Sequence, residues 1–133
     1  MEKKKIKNPS PRIKIIQKIY NSLMNPNTEI EYSKSQYKKF IKDVVSGTLE
    51  RSELIEDTVT KHIGNDINLA KTDKLLKIIL FAAVFELLFK HNNPKKVIIS
   101  EYIFASEFFL EKVQIGYLNA ILDKISKVLR KDE

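Results

Sequence analysis

The feature that most constrains the fold is an apolar stretch in the middle of the chain. Residues 78–85 read IILFAAVF, and from about Thr72 to Phe89 the sequence is apolar nearly all round, interrupted by Lys77 and Glu86. A helix that is apolar on every side has to be surrounded by other elements. The stretch is much shorter than the roughly 20 residues that a membrane-spanning helix needs. It therefore predicts a central core helix of a globular domain.

Helical patterns account for most of the remaining chain, and strand patterns are nearly absent. Ser10 before Pro11 predicts a helix start, followed by apolar residues at helical spacing at Ile13, Ile16, Tyr20, Leu23 and Met24 until about residue 25. Ser33 and Gln36 have the spacing of a capping box before a second helix, in which Gly47 marks a kink or a break. Further helices are expected before Gly64, at about 95–110 after Pro94, and at about 112–130.

These patterns predict an all-α fold of one domain. We expect a compact bundle of about six or seven helices, with an N-terminal part packed on a C-terminal helical subdomain. Residues 1–9 are expected to be a basic flexible arm and residues 10–133 a single domain.

Composition argues against several kinds of site. The chain has no cysteine, which excludes disulfides and thiolate metal sites, and its two histidines, His62 and His91, lack a ligand spacing, so no metal site is predicted. Its three glycines form no phosphate-binding loop, and no catalytic pairing is evident, so we expect neither an enzyme nor a cofactor. The N-terminus lacks the apolar segment of a secretory signal, which predicts a cytoplasmic location.

Positive charge is concentrated at the amino end. Residues 1–24 contain seven basic residues and only Glu2 as an acid, a net charge of +6, whereas the rest has 17 basic and 16 acidic residues. We expect this region to bind RNA phosphates through the following cations: Lys3, Lys4, Lys5, Lys7, Arg12, Lys14 and Lys18. A solvated lysine tail without a ligand is an equally good interpretation of the charge alone.

The last two predicted helices carry two motifs at a fixed separation. Residues 94–103 read PKKVIISEYI and residues 117–123 read YLNAILD. These resemble the patterns P-x-x-V-x-I-N-E-A-(I/V) and F-(V/S)-N-G-(V/I)-L-D of the NusB family of bacterial transcription antitermination factors. The matching residues are Pro94, Val97, Ile99, Glu101, Asn119, Leu122 and Asp123. Gln17 and Tyr20 in IQKIY, and Glu86 before Leu87, are similar to two further family patterns.

The resemblance implies an all-helical, non-enzymatic RNA-binding factor. Such proteins recognise the boxA element of nascent ribosomal RNA together with a small-subunit ribosomal protein, NusE, in an assembly with RNA polymerase. The resemblance implies that Gln17 and Tyr20 contact NusE, although a core position for Tyr20 also fits its spacing. It further implies structural roles for Glu86, Pro94, Glu101, Asn119 and Asp123. Self-association as a homodimer is left open.

Several positions depart from the family pattern. Ser100, Ala120 and Phe81 replace asparagine, glycine and arginine, while Leu76 and Val113 stand where relatives often carry acidic groups. The segment after the first helix is also short, which indicates that one small helix is missing.

The residues themselves suggest a role for the signature asparagine. Glu101 lies in an apolar context, where a buried carboxylate needs hydrogen-bond donors. We therefore expect Asn119 to donate to Glu101 and to join the last two helices, unless both face solvent.

Two other functions remain as alternatives. The first is a helical protein–protein adaptor of the ribosome or transcription machinery with weak or lost RNA binding. The second is a helix-turn-helix DNA binder, which is disfavoured because the sequence after Pro94 is too apolar to lie in a DNA groove.

Overall fold

The computed structural model describes residues 9–133, which form six α-helices and one short 3-10 helix, Leu69–Lys71, without a strand in that range. The α-helices are α1 Pro11–Met24, α2 Lys38–Glu50, α3 Ser52–Ile63, α4 Lys74–Phe89, α5 Lys95–Ser106 and α6 Lys112–Leu129. The predicted all-α bundle of about six or seven helices is confirmed. Residues 25–37, between α1 and α2, contain no helix.

Helix α4 is the centre of the bundle. It packs against α1, α2, α3, α5 and α6, and its residues 78–87 are all buried. The apolar stretch therefore lies where the sequence predicts it, with other helices on every side. None of the helices within residues 9–133 combines the length and the apolar character needed to cross a membrane.

Local capping fixes several helix starts. The Ser10 side chain accepts a hydrogen bond from the backbone N–H of Ile13, and Asp73 does the same for Leu76 at the start of α4. The capping box predicted at Ser33 and Gln36 is wrong, because α2 begins only at Lys38 and has no side-chain cap. A capping box occurs instead at α6, where Glu111 and Gln114 bond each other's backbone.

Gly47 does not break α2, although a break is one of the two outcomes that the sequence predicts for it. It lies inside the helix, is buried, and faces α4. A Cβ placed on it would overlap ring atoms of Phe85. The missing side chain therefore lets α2 approach α4 closely, and this packing is the reason for the glycine.

Helix α1 buries a wider face than predicted. Its buried residues are Ile13, Ile15, Ile16 and Ile19, because it packs against α2, α4 and α5 rather than against one neighbour. Of the predicted stripe, Tyr20, Leu23 and Met24 are 36%, 47% and 41% exposed. The last turn of α1 thus carries an apolar patch that the described residues leave uncovered.

Candidate nucleic-acid interface

Helix α1 presents a polar face beside its buried one. Lys14 and Lys18 are four residues apart, as are Gln17 and Asn21, so all four side chains lie on neighbouring positions of the helix surface. Lys14, Gln17 and Lys18 are half-buried and Asn21 is exposed. Their accessible parts face the non-helical segment 25–37 and the start of α2.

A groove lies between these elements. It has a volume of about 640 Å³, and the α1 side of its wall includes Lys14, Gln17, Lys18, Tyr20 and Asn21. The opposite wall includes Tyr32, Ser33, Ser35 and Lys38. Two lysines predicted to bind RNA and both residues predicted to bind the partner, Gln17 and Tyr20, therefore line one concave surface.

The groove has one sign of charge. Lys14, Lys18 and Lys38 line it, and no aspartate or glutamate is among the described residues of its wall. A concave surface whose charged side chains are all cations attracts polyanions, because the protein walls concentrate the field. Pro9 is also part of the wall, and Lys3, Lys4, Lys5 and Lys7 precede it in the sequence. These four lysines lie outside the described residues.

Lys18 links the two walls. Its ammonium group donates a hydrogen bond of 2.5 Å to the backbone oxygen of Glu31 and lies 5.2 Å from the ring centre of Tyr32. Burial raises the pKa of Tyr32, partly offset by a hydrogen bond with Ser46. Tyr32 therefore stays neutral at physiological pH and provides an aromatic wall.

Arg12 has a different place from the other predicted RNA-binding cations. Its side chain is 11% exposed, and its Nε and Nη2 donate to Oε2 and Oε1 of Glu86 at 3.1 and 2.7 Å. Burial alone would lower the pKa of Arg12, but the hydrogen bonds and charge of Glu86 raise it above its usual value. Since its guanidinium is already neutralised by this bidentate pair, we leave Arg12 out of the proposed RNA surface.

Glu86 belongs to a buried polar network at the end of α4. Its carboxylate is fully buried and also accepts a hydrogen bond of 3.2 Å from Asn93. Arg130, which is 6% exposed, donates to the backbone oxygens of Glu86, Leu87, Lys90 and Asn93 and also pairs with Glu133. One guanidinium thus binds backbone carbonyls in the last turn of α4 and in the residues that follow it.

Arg130 was not identified from sequence as a structural residue. A lone arginine at the end of a helix has no local pattern that points to another helix 40 residues away. The structural role of Glu86 stays a prediction, which its buried pair with Arg12 supports.

The match to known proteins extends over nearly the whole chain. The family model described as "NusB family" matches residues 4–127. The chain belongs to the NusB family. It is 32% identical over 94 residues to the transcription antitermination protein NusB of Rhodopseudomonas palustris strain HaA2, covering 71% of this chain and 56% of that protein. For Rickettsia massiliae NusB the identity is 35% over 101 residues, covering 76% and 62%.

The chain thus spans less than two thirds of the length of these curated NusB relatives. A solved structure of Thermotoga maritima NusB has the same fold, with a TM-score of 0.75, 21% identity, and coverage of 92% of this chain and 93% of that chain.

The NusB motif residues of α5 and α6 lie apart from the groove. Pro94 is the N-cap of α5, and its carbonyl accepts from the N–H groups of Val97 and Ile98. Glu101 is half-buried, and its charge contributes to the raised pKa of Arg12. Asp123 is exposed and pairs with Lys127 at 3.1 Å.

The hydrogen bond predicted between Asn119 and Glu101 is wrong. Asn119 is exposed on α6, and no hydrogen bond joins the two side chains in residues 9–133. The rotation of α6 is set by Leu118, Ile121 and Leu122, which are buried and turn Asn119 to solvent. This leaves the signature asparagine on the surface.

The departures from the NusB pattern fall into two environments. Leu76 and Phe81 are buried on α4, where an apolar side chain suits the setting. Val113, at the start of α6, is instead 85% exposed. Its apolar character therefore adds nothing to the packed core.

Proposed function

We propose that the protein is an RNA-binding transcription antitermination factor. In this role it binds boxA-type single-stranded ribosomal RNA together with the small-subunit ribosomal protein NusE, and through them it joins the antitermination complex of RNA polymerase. It acts by binding and catalyses no reaction. The names of the relatives from Rhodopseudomonas and Rickettsia support the antitermination role.

The observation that carries the proposal is the cationic groove on α1. Phosphate oxygens are the commonest contacts of nucleic-acid-binding proteins, and lysine binds them as a point charge. The groove offers Lys14, Lys18 and Lys38 with no aspartate or glutamate in the described part of its wall, and the sequence before Pro9 is rich in lysine. An extended single strand, which exposes its phosphates and its bases, fits such a surface better than a rigid duplex does.

The end of α1 supports a protein partner. Tyr20, Leu23 and Met24 form an exposed apolar patch that continues from the groove, since Tyr20 belongs to both. Exposed apolar patches with polar surroundings are typical of protein interfaces. RNA and ribosomal protein would therefore bind side by side along α1.

The proposal is tested by titrating the protein with a fluorescent boxA oligoribonucleotide, with and without NusE. We expect binding to RNA alone and tighter binding with NusE present. The variant Lys14→Gln/Lys18→Gln should bind RNA more weakly in both cases. A matched variant, Lys61→Gln/Lys127→Gln, removes the same charge from exposed positions outside the groove and should bind as the unaltered protein does.

Two results would contradict the proposal. Equal loss of affinity in both double variants would show that net charge, not the groove, governs binding. Binding to NusE without any binding to RNA would instead support the adaptor alternative, which the exposed patch on α1 also favours.

A further inference from the structure

The groove on α1 contains more than phosphate-binding cations. Gln17 and Asn21 carry side-chain amides, and neither amide forms a hydrogen bond with another described side chain or backbone group. Each amide holds a donor and an acceptor in one plane, which is the arrangement that hydrogen-bonds a base edge. A surface that bound only phosphates would need the lysines but not two free amides one helical turn apart.

The dimensions of the groove suit a small planar ligand. Its volume of about 640 Å³ lies within the roughly 300–1,000 Å³ that is typical of ligand clefts. Tyr32 offers an aromatic surface in its wall, and aromatic side chains stack on unpaired bases. Lys14 and Lys18 lie on the same face of α1 as the two amides, so they can bind the phosphates that flank a base.

We propose that Gln17 and Asn21 form a subsite that reads one unpaired adenine of an RNA strand. A side-chain amide can accept from the N6 amino group of adenine and donate to its N7, which is the pairing by which amides read adenine in nucleic acids. The flanking lysines hold the backbone, and the Tyr32 ring offers a face on which the base can stack. This subsite deepens the proposed RNA-binding function and depends on it.

The experiment uses octamers of uridylate in which the fourth nucleotide is A, C, G or U. Fluorescence anisotropy at constant salt measures the affinity of the full chain for each. The unaltered protein should bind the A-containing octamer on the order of tenfold more tightly than the all-U octamer. The cytosine-containing octamer tests whether the amides select adenine over the base with the most similar donor and acceptor pair. In Asn21→Ala the ratio of the affinities for the A-containing and all-U octamers should fall to near one, whatever the change in affinity for the all-U octamer itself.

Asn65→Ala is the matched control, because Asn65 is an exposed amide in the loop after α3 and does not line the groove. It should keep the full preference for adenine. Circular dichroism should show the same helix content in both variants. The exposed position of Asn21 makes misfolding of that variant unexpected.

The other outcomes separate the subsite from the general function. Equal binding of the four octamers, preference for another base, or an unchanged preference in Asn21→Ala would overturn the subsite while leaving RNA binding intact. Failure to bind any octamer or boxA RNA would refute the proposed function itself. Competition by free AMP at the concentration at which the octamer binds would show a mononucleotide site and would overturn the assignment to RNA.

Discussion

At the scale of single residues, charge type alone does not reveal which cations are free to bind RNA. Arg12 and Lys14 are two positions apart on α1, yet Arg12 turns inward to the fully buried Glu86 and Lys14 lines the groove. The difference follows from helical rotation together with the position of one carboxylate on α4. Sequence periodicity predicts the helical rotation, but it cannot show that Arg12 pairs with Glu86, which is 74 positions away in the sequence.

The ion pair gives a residue-scale prediction about stability. Arg12→Met leaves the buried Glu86 carboxylate with the Asn93 amide and the neighbouring Tyr102 hydroxyl as its side-chain partners and without a cation, so the free energy of unfolding should fall by about 3–5 kcal/mol. In Arg12→Met/Glu86→Leu the buried charge is also removed, and most of the loss should be recovered. Urea unfolding followed by circular dichroism measures both. A loss below about 1 kcal/mol in the single variant would mean that water or another donor satisfies Glu86.

At the scale of helices, the apolar periodicity predicts most of what the structure contains. All six α-helices follow from it, and α4 is central because no side of it is polar. The groove could be predicted only in part. The α1 wall of the groove follows from the spacing of Lys14, Gln17 and Lys18. The opposite wall does not, because Tyr32 lies within segment 25–37, which has no periodicity, and Lys38 comes directly after it. Nothing local in that segment shows which helix it lies against.

Gly47 and Gly116 give a paired prediction at the same scale. Both are helical, but a Cβ on Gly47 would overlap the Phe85 ring, whereas one on Gly116 would meet no atom within 4 Å. Gly47→Ala should therefore lower the free energy of unfolding by about 1–3 kcal/mol. Gly116→Ala should raise it by about 0.5–1 kcal/mol, because alanine loses less backbone entropy in a helix. Thermal and urea unfolding distinguish them, and equal effects would contradict close packing of α2 on α4.

At the scale of the whole molecule, the charge of +7 should act through a defined set of cations rather than as a diffuse field. Three groove lysines that each neutralise one phosphate give a log–log salt slope of about −2 for single-stranded RNA, and four more from the arm bring it to about −5. Deleting residues 1–8 should therefore change the slope from about −5 to about −2.

The measurement is a salt titration of affinity for one boxA oligoribonucleotide by the full chain and by the deletion variant. Lys61→Gln/Lys127→Gln should keep the steep slope, because these lysines lie outside the groove and the arm. If the deletion leaves the slope unchanged, the arm lysines are solvated and contribute no phosphate contacts. The groove would then have to supply the whole electrostatic part of binding, and Lys14→Gln/Lys18→Gln in the deleted chain would reduce the slope by about 1.4.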